Sequence, residues 1–244
     1  MKPVTKKVLI VSACCIAAGI VLTGAGLAAG GFPGLQITRS GVLSSSDTPA
    51  PHQLDKTQID PFTDMEIVID EGDLEILPSN DGNCYLEYLL DGSGSEPEWE
   101  VRNGTFYFTQ GAVSNNGFHL FGTDLTEAIS NPAVQLYLPD NTRLTGTEIT
   151  NRFGDVSAEN LASDSMNVTV EFGDLDLKNC RSEEMELELD SGSLTAEDTE
   201  TVSLVLVNEF GDSELENMTI RNADLTAEMG SLILDVSGIE TLAG

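Results

Sequence analysis

The side chains best suited to chemistry in this chain are carboxylates recurring at one fixed interval. Glu171, Asp190, Glu209 and Glu228 each precede a glycine-containing bend by one step, 19 residues apart; Asp155, Asp174 and Asp212 follow the glycine of such a bend. Carboxylate oxygens stacked in register suit a hard divalent cation, so Asp155, Glu171, Asp174, Asp190, Glu209, Asp212 and Glu228 form a candidate Ca²⁺ column. The same residues also read as a solvated acidic face. Like charges about 4.8 Å apart on stacked strands then repel by roughly 1 kcal/mol per pair in water. Ser193 and Ser231 stand where the aspartate series would continue, which interrupts any metal column.

Little else has the makings of a reaction centre. The chain holds two histidines, His52 and His119, and no G-x-S-x-G, H-E-x-x-H, phosphate-loop or dinucleotide fingerprint. Arg152, Lys178, Arg181 and Arg221, the bases a sugar-cleaving β-helix would need beside its carboxylates, occupy different positions of the repeat. The expectation is a protein without catalysis and without a cofactor, Ca²⁺ aside. With 41 Asp+Glu against 11 Lys+Arg, its net charge is −30. Such a surface repels nucleic acid, anionic lipid and anionic wall polymers, and attracts cations or basic partners. A nucleic-acid role is excluded on that ground.

The carboxylates are placed by a repeat. Phe153-Gly154-Asp155, Phe172-Gly173-Asp174, Ser191-Gly192-Ser193, Phe210-Gly211-Asp212 and Met229-Gly230-Ser231 begin 19 residues apart. A constant period near 20 residues marks a solenoid, since one coil cannot bury its own apolar side and neighbours must stack to share a core. Counting each coil from the residue before its glycine, the fourth position reads Val156, Leu175, Leu194, Ser213 and Leu232, and the sixth Ala158, Leu177, Ala196, Leu215 and Leu234. Met166, Met185, Leu204 and Ala223 share the fourteenth, and Val168, Leu187, Leu206 and Leu225 the sixteenth. This in-and-out alternation predicts two strands per coil. Gly154, Gly173, Gly192, Gly211 and Gly230 mark one corner, and Asn160, Asn179, Asp198 and Asn217 at the eighth position suit a second, because these residues tolerate left-handed backbone. Gly72, with Ile67, Leu74 and Ile76, fits the same template. The fold class predicted is therefore all-β: a single-stranded β-solenoid with an irregular first part over residues 61–140 and regular 19-residue coils over 141–244. Asn103-Gly104 predicts a tight hairpin. No cap is evident after the last coil, so its edge is a candidate for self-association.

The N-terminal quarter differs. Lys2, Lys6 and Lys7 precede Val8–Ala29, 22 residues without a charge, which is enough to cross a bilayer as a helix. Positive charge on the short side predicts a cytoplasmic tail over 1–7, a single-pass helix over 8–29 and an extracellular body. Two rivals remain: a cleaved export signal ending near Ala25–Gly31, and a lipoprotein box at Cys14. Residues 30–60, rich in Ser, Pro, Gly and Thr, read as a flexible stalk. Cys84 and Cys180 lie in the body at no metal-like spacing; a disulfide between them is possible, and two buried free thiols are the default.

Taken together, the N-terminal helix, the Met65–Leu77 strand–Gly-Asp–strand unit, the Val134–Asp140 strand ending in Leu-Pro and the serial F-G-D coils resemble the bacterial "putative adhesin" family of β-strand-repeat envelope proteins. The resemblance covers most of residues 61–244. It implies surface display and interaction with a protein or envelope-polymer partner, and it brings no catalytic residues.

Overall fold

The computed structural model describes residues 35–38, 41–44, 50–92, 94–111, 118–121, 132–140 and 142–244. Residues 1–29, read above as tail and membrane helix, lie outside these. Among the described residues there are twenty strands, and no helix is long and apolar enough to cross a membrane. Leu35–Thr38 (β1), Gly41–Ser44 (β2) and Phe118–Phe121 (β9) form a small antiparallel sheet with β1 in the middle.

The larger unit is a β-solenoid. Its first coil is Asp64–Ile69 (β4) and Asp73–Ser79 (β5), joined through Gly72. The next coils are Arg143–Phe153 (β11) with Val156–Glu159 (β12), Ala162–Phe172 (β13) with Leu175–Lys178 (β14), and Arg181–Ser191 (β15) with Leu194–Glu197 (β16). Glu200–Phe210 (β17), the long Ser213–Met229 (β18), Leu232–Ser237 (β19) and Thr241–Ala243 (β20) complete the stack. Every coil-to-coil pairing is parallel, and up to β18 the register is the one the repeat demands; between β18 and β19 it slips by one residue after Leu215. Val168 pairs with Leu187, Leu187 with Leu206, and Leu206 with Leu225. The same line runs back through Ile149 to Ile67 and to Phe108 of Thr105–Gln110 (β8), seven rungs in all. All seven side chains are buried. Each such aliphatic side chain contributes about 1.5–3 kcal/mol on leaving water, and no single coil could supply the enclosure.

Two further inward positions per coil escape the apolar pattern. Leu161, Cys180, Thr199 and Met218 form one ladder and Ser163, Ser182, Thr201 and Ile220 the next, all buried. The first ladder follows the Asn/Asp corner just ahead of the long strands, and the second lies inside them, immediately before the point where pairing skips one residue between Leu144/Ser163 and Gly146/Ser165. Their hydroxyls satisfy the bent backbone: Ser163 Oγ donates to Ser165 O at 2.6 Å, and Thr201 Oγ1 to Ser203 O at 3.0 Å. Cys180 belongs to this ladder. Burial pushes its thiol up to about 11, and both it and Cys84 are buried free thiols rather than a disulfide.

Antiparallel strands close the N-terminal end. Glu98–Arg102 (β7) pairs with β8 through the Asn103-Gly104 turn, where both residues have positive φ (54° and 84°) as the hairpin signal requires. Cys84–Leu90 (β6) runs antiparallel to Ala133–Pro139 (β10), which is parallel to β5. One expectation changes here. Residues 52–59, placed in the flexible stalk, form a strand (β3, His52–Ile59) antiparallel to β6, with Ile59 buried. A register shift between Leu54 and Thr57 interrupts its alternation, so composition alone reads it as loop.

Candidate functional site

The glycine corner collects most of the side chains with chemical potential. It is built by close approach: the amide of Gly173 donates to Ser191 O at 3.0 Å and that of Gly192 to Phe210 O at 2.9 Å, stacking one corner on the next. The aspartates after the glycine have a structural task. Asp73 Oδ1 accepts from the Asp155 amide (2.9 Å), Asp155 Oδ1 from the Asp174 amide (2.8 Å), and Asp174 Oδ1 from the Ser193 amide (2.7 Å). Asp212 Oδ1 accepts from both the amide and the hydroxyl of Ser231, at 2.8 and 2.7 Å. Those two bonds, the hydroxyl's foremost, hold the Asp212 carboxyl below its ordinary pKa. Because the folded-state value is depressed, the stabilisation is present above the unfolded carboxylate pKa and lost as pH falls through the folded one.

The carboxylates before the glycine behave differently. Their column begins with a cation: Arg152 Nε lies 3.2 and 3.3 Å from the two Glu171 oxygens, and Nη1 3.4 Å from Asp70 Oδ1. Asp190, Glu209 and Glu228 follow with no cationic partner among the described residues. The remaining coil cations are engaged elsewhere: Arg143 with Asp164 (2.6 Å) and Glu183 (2.9 Å), and three others with a carboxylate one coil on, Lys178–Glu197 (3.2 Å), Arg181–Glu200 (3.5 Å) and Arg221–Glu240 (3.7 Å). Arg152, Lys178, Arg181 and Arg221 share no column, as the sequence indicates. Among the described residues no three His, Cys, Asp or Glu side chains converge as a metal site would require. The candidate Ca²⁺ ligands are thus brought to one corner as two separate lines, one capping backbone amides and the other facing solvent.

Directly beside the second line runs an aromatic one that sequence reasoning used only as a repeat marker. Phe153, Phe172, Ser191, Phe210 and Met229 are consecutive rungs. Phe153, Phe172 and Phe210 are each about half exposed, and Met229 is 66% exposed. The rings of Phe153 and Phe172 stack with centroids 5.2 Å apart and planes 3° from parallel. Strand alternation alone would have turned this position inward, since Phe172 keeps the parity of the buried Val168 and Val170; the glycine corner turns it out, and that geometry is not contained in the repeat count.

On the outer strand faces, Glu186 and Val205 are exposed neighbours, as are Glu188 and the half-buried Val207. At the far end, Ile233, Leu234 and Leu242 are 54%, 39% and 57% exposed on β19 and β20, which leaves the end of the core partly open.

Negative charges also crowd one another on the outer faces. Glu216 sits beside Glu214 and pairs across the strand with Glu197, and these neighbours, Glu214 first, raise its pKa. A raised carboxylate is a penalty at neutral pH, relieved by protonation or by screening. Raising NaCl from roughly 10 mM to 0.5 M should increase the thermal midpoint by about 5 °C. A midpoint that is flat or falls with salt would show that the acidic columns do not repel.

A family model, Toastrack DUF4097, matches residues 62–241. Among solved structures, one from Bacteroides fragilis described as a "putative adhesin" covers 80% of this chain and 98% of its own, at 11% identity and a TM-score of 0.39. Another, described as a "putative cell adhesion protein" from Clostridium sporogenes, covers 79% and 100% at 15% identity and a TM-score of 0.37. No curated protein matches the chain.

Proposed function

The chain belongs to the Toastrack DUF4097 family, and from that membership and its stacked faces we propose that it is a non-catalytic interaction module. In this reading a helix over residues 8–29 holds it in the cell membrane, N-terminus inside. The solenoid then meets a protein or polymer of the envelope or the extracellular surroundings.

The observation that carries the reading is the ladder itself. Seven buried rungs with parallel pairing hold the outward residues of successive coils in fixed rows, a rigid and extended surface. Such a surface suits recognition better than turnover, which needs a concave, water-excluding site. Lys178, Arg181 and Arg221 are each engaged with a carboxylate one coil away, so none of the three stands free as a base beside the acidic lines.

The test uses cells displaying the full chain. Replacing Glu186→Lys and Glu188→Lys alters adjacent exposed positions without touching the core, and should remove most adhesion to matrix or to neighbouring cells. Unchanged adhesion with normal display would sink the reading. Alkaline carbonate washing of the membranes checks the tether: a chain released into the wash is not held by a spanning helix.

A second reading, a sensory accessory of envelope stress, is favoured by one observation. Asp190, Glu209 and Glu228 form an acidic line with no counter-charge among the described residues, which would respond to cations or cationic peptides outside the cell. It predicts that a stress-response reporter loses its response to a cationic peptide when these three residues become amides.

A further inference from the structure

Resting on the interaction-module reading, we propose that the corner from Phe172 to Met229 docks an arginine side chain of a basic polypeptide. The molecule supplies its own template for the pose. Arg152 sits on this same edge, its guanidinium bonded to Glu171 at 3.2 and 3.3 Å and lying 5.9 Å from the Phe153 ring centroid. The pose uses the carboxylates on either side of Arg152 in its line, Glu171 and Asp70 (3.4 Å), and one ring beside it.

Both ingredients recur further along, without the arginine. Asp190 and Glu209 continue the carboxylate line, and Phe172 and Phe210 the aromatic one. The spacing differs in one respect that favours an external group. Phe153 and Phe172 cover each other's faces, whereas Ser191 stands between Phe172 and Phe210. Two rungs separate those rings, roughly 9.6 Å at the spacing of paired strands. The gap admits one flat group in contact with a ring on either side. A guanidinium is planar, stacks on aromatic faces and presents a fork of donors to a carboxylate, while an ammonium is a compact point charge that fills neither role.

Charge selects the source. The chain carries −30 overall, so a basic polypeptide is drawn towards it while anionic glycans and nucleic acid are repelled. A neutral sugar ring would fit between the phenyl faces, but it would leave the repulsion along Asp190, Glu209 and Glu228 unrelieved.

The experiment measures binding of two end-blocked octapeptides, alternating Arg-Gly and alternating Lys-Gly, to the full chain at physiological salt. Both carry the same charge. The arginine peptide should bind about tenfold more tightly. Two variants locate the preference. Phe172→Ser with Phe210→Ser removes the rings, and Ser191→Phe fills the gap as Phe172 covers Phe153. Each should abolish the arginine preference, and the second should keep or raise the thermal midpoint, which separates loss of the slot from loss of fold. Equal binding of the two peptides, or an unaltered preference in Ser191→Phe, overturns the proposal in favour of diffuse electrostatic attraction or of an uncharged ligand. Adhesion that persists in wild type and in Ser191→Phe while the preference is absent removes this site and leaves the adhesion reading standing. A preserved preference in a chain that does not adhere does the reverse.

Discussion

Replacing Gly192 with alanine is expected to cost about 4 kcal/mol or more and to abolish cooperative unfolding or lower its midpoint by well over 10 °C. Two independent effects combine. The backbone at Gly192 has φ 152°, a conformation L residues rarely adopt, which alone costs about 1–3 kcal/mol. A Cβ there would also stand 1.8 Å from Gly173 O and 2.6 Å from its carbonyl carbon. Those atoms are backbone, fixed by the hydrogen-bonded ladder on either side, so the coils would have to separate by more than an ångström at that corner. Gly82 provides the control. It too has positive φ (78°), yet a Cβ would meet nothing within 4 Å. Gly82→Ala should therefore lose only the conformational part, about 1 kcal/mol. Equal midpoints for the two variants would refute the close-approach account of the corner.

Removing 19 residues should harm this protein less than removing ten. Deleting residues 173–191 joins Phe172 to Gly192, and every remaining ladder closes in phase: Val156 and Ala158 against Leu194 and Ala196, Met166 and Val168 against Leu204 and Leu206. The stack loses one coil and its share of core, yet keeps its architecture, because repeat stability is a sum of coil and nearest-neighbour contributions. Circular dichroism should show an intact sheet with a midpoint within about 10 °C of wild type. Deleting residues 173–182 instead removes one glycine corner, one Asn179 corner and half a coil. Downstream residues then move back ten places: Glu183 takes the corner position of Gly173, Leu189 that of Asn179, and Leu194 and Ala196 the exposed positions of Glu184 and Glu186, and no local bulge absorbs half a turn. That variant should show no cooperative transition. A stable shorter deletion, or a molten longer one, would contradict stacking in whole coils.

How much of this could be read from the residues follows from what the pattern records. The coils were legible because Val168, Leu187, Leu206 and Leu225 repeat both an apolar type and a phase against a corner glycine. Asn160, Asn179, Asp198 and Asn217 were legible for a related reason: their φ of 50° to 60° is one that few other side chains accept. The bend within each long strand was not. Its inward positions hold Ser163 and Thr201, which look like surface residues until their hydroxyls are seen bonding the local backbone, as Thr199 also does across the Asp198 corner. Nor was β3, whose bulge erases the alternation. The candidate site was half legible. The carboxylates announced themselves by type, but whether one caps an amide, as Asp155 does, or faces water, as Glu209 does, depends on geometry that a 19-residue count does not contain.

The rise per coil decides what such a molecule is good for. Nineteen residues raise the stack by about 4.8 Å, whereas the same stretch as a helix would span about 28 Å. Seven rungs from Phe108 to Leu225 thus stand roughly 29 Å tall. Chain length in this unit is invested in breadth and stiffness instead of reach.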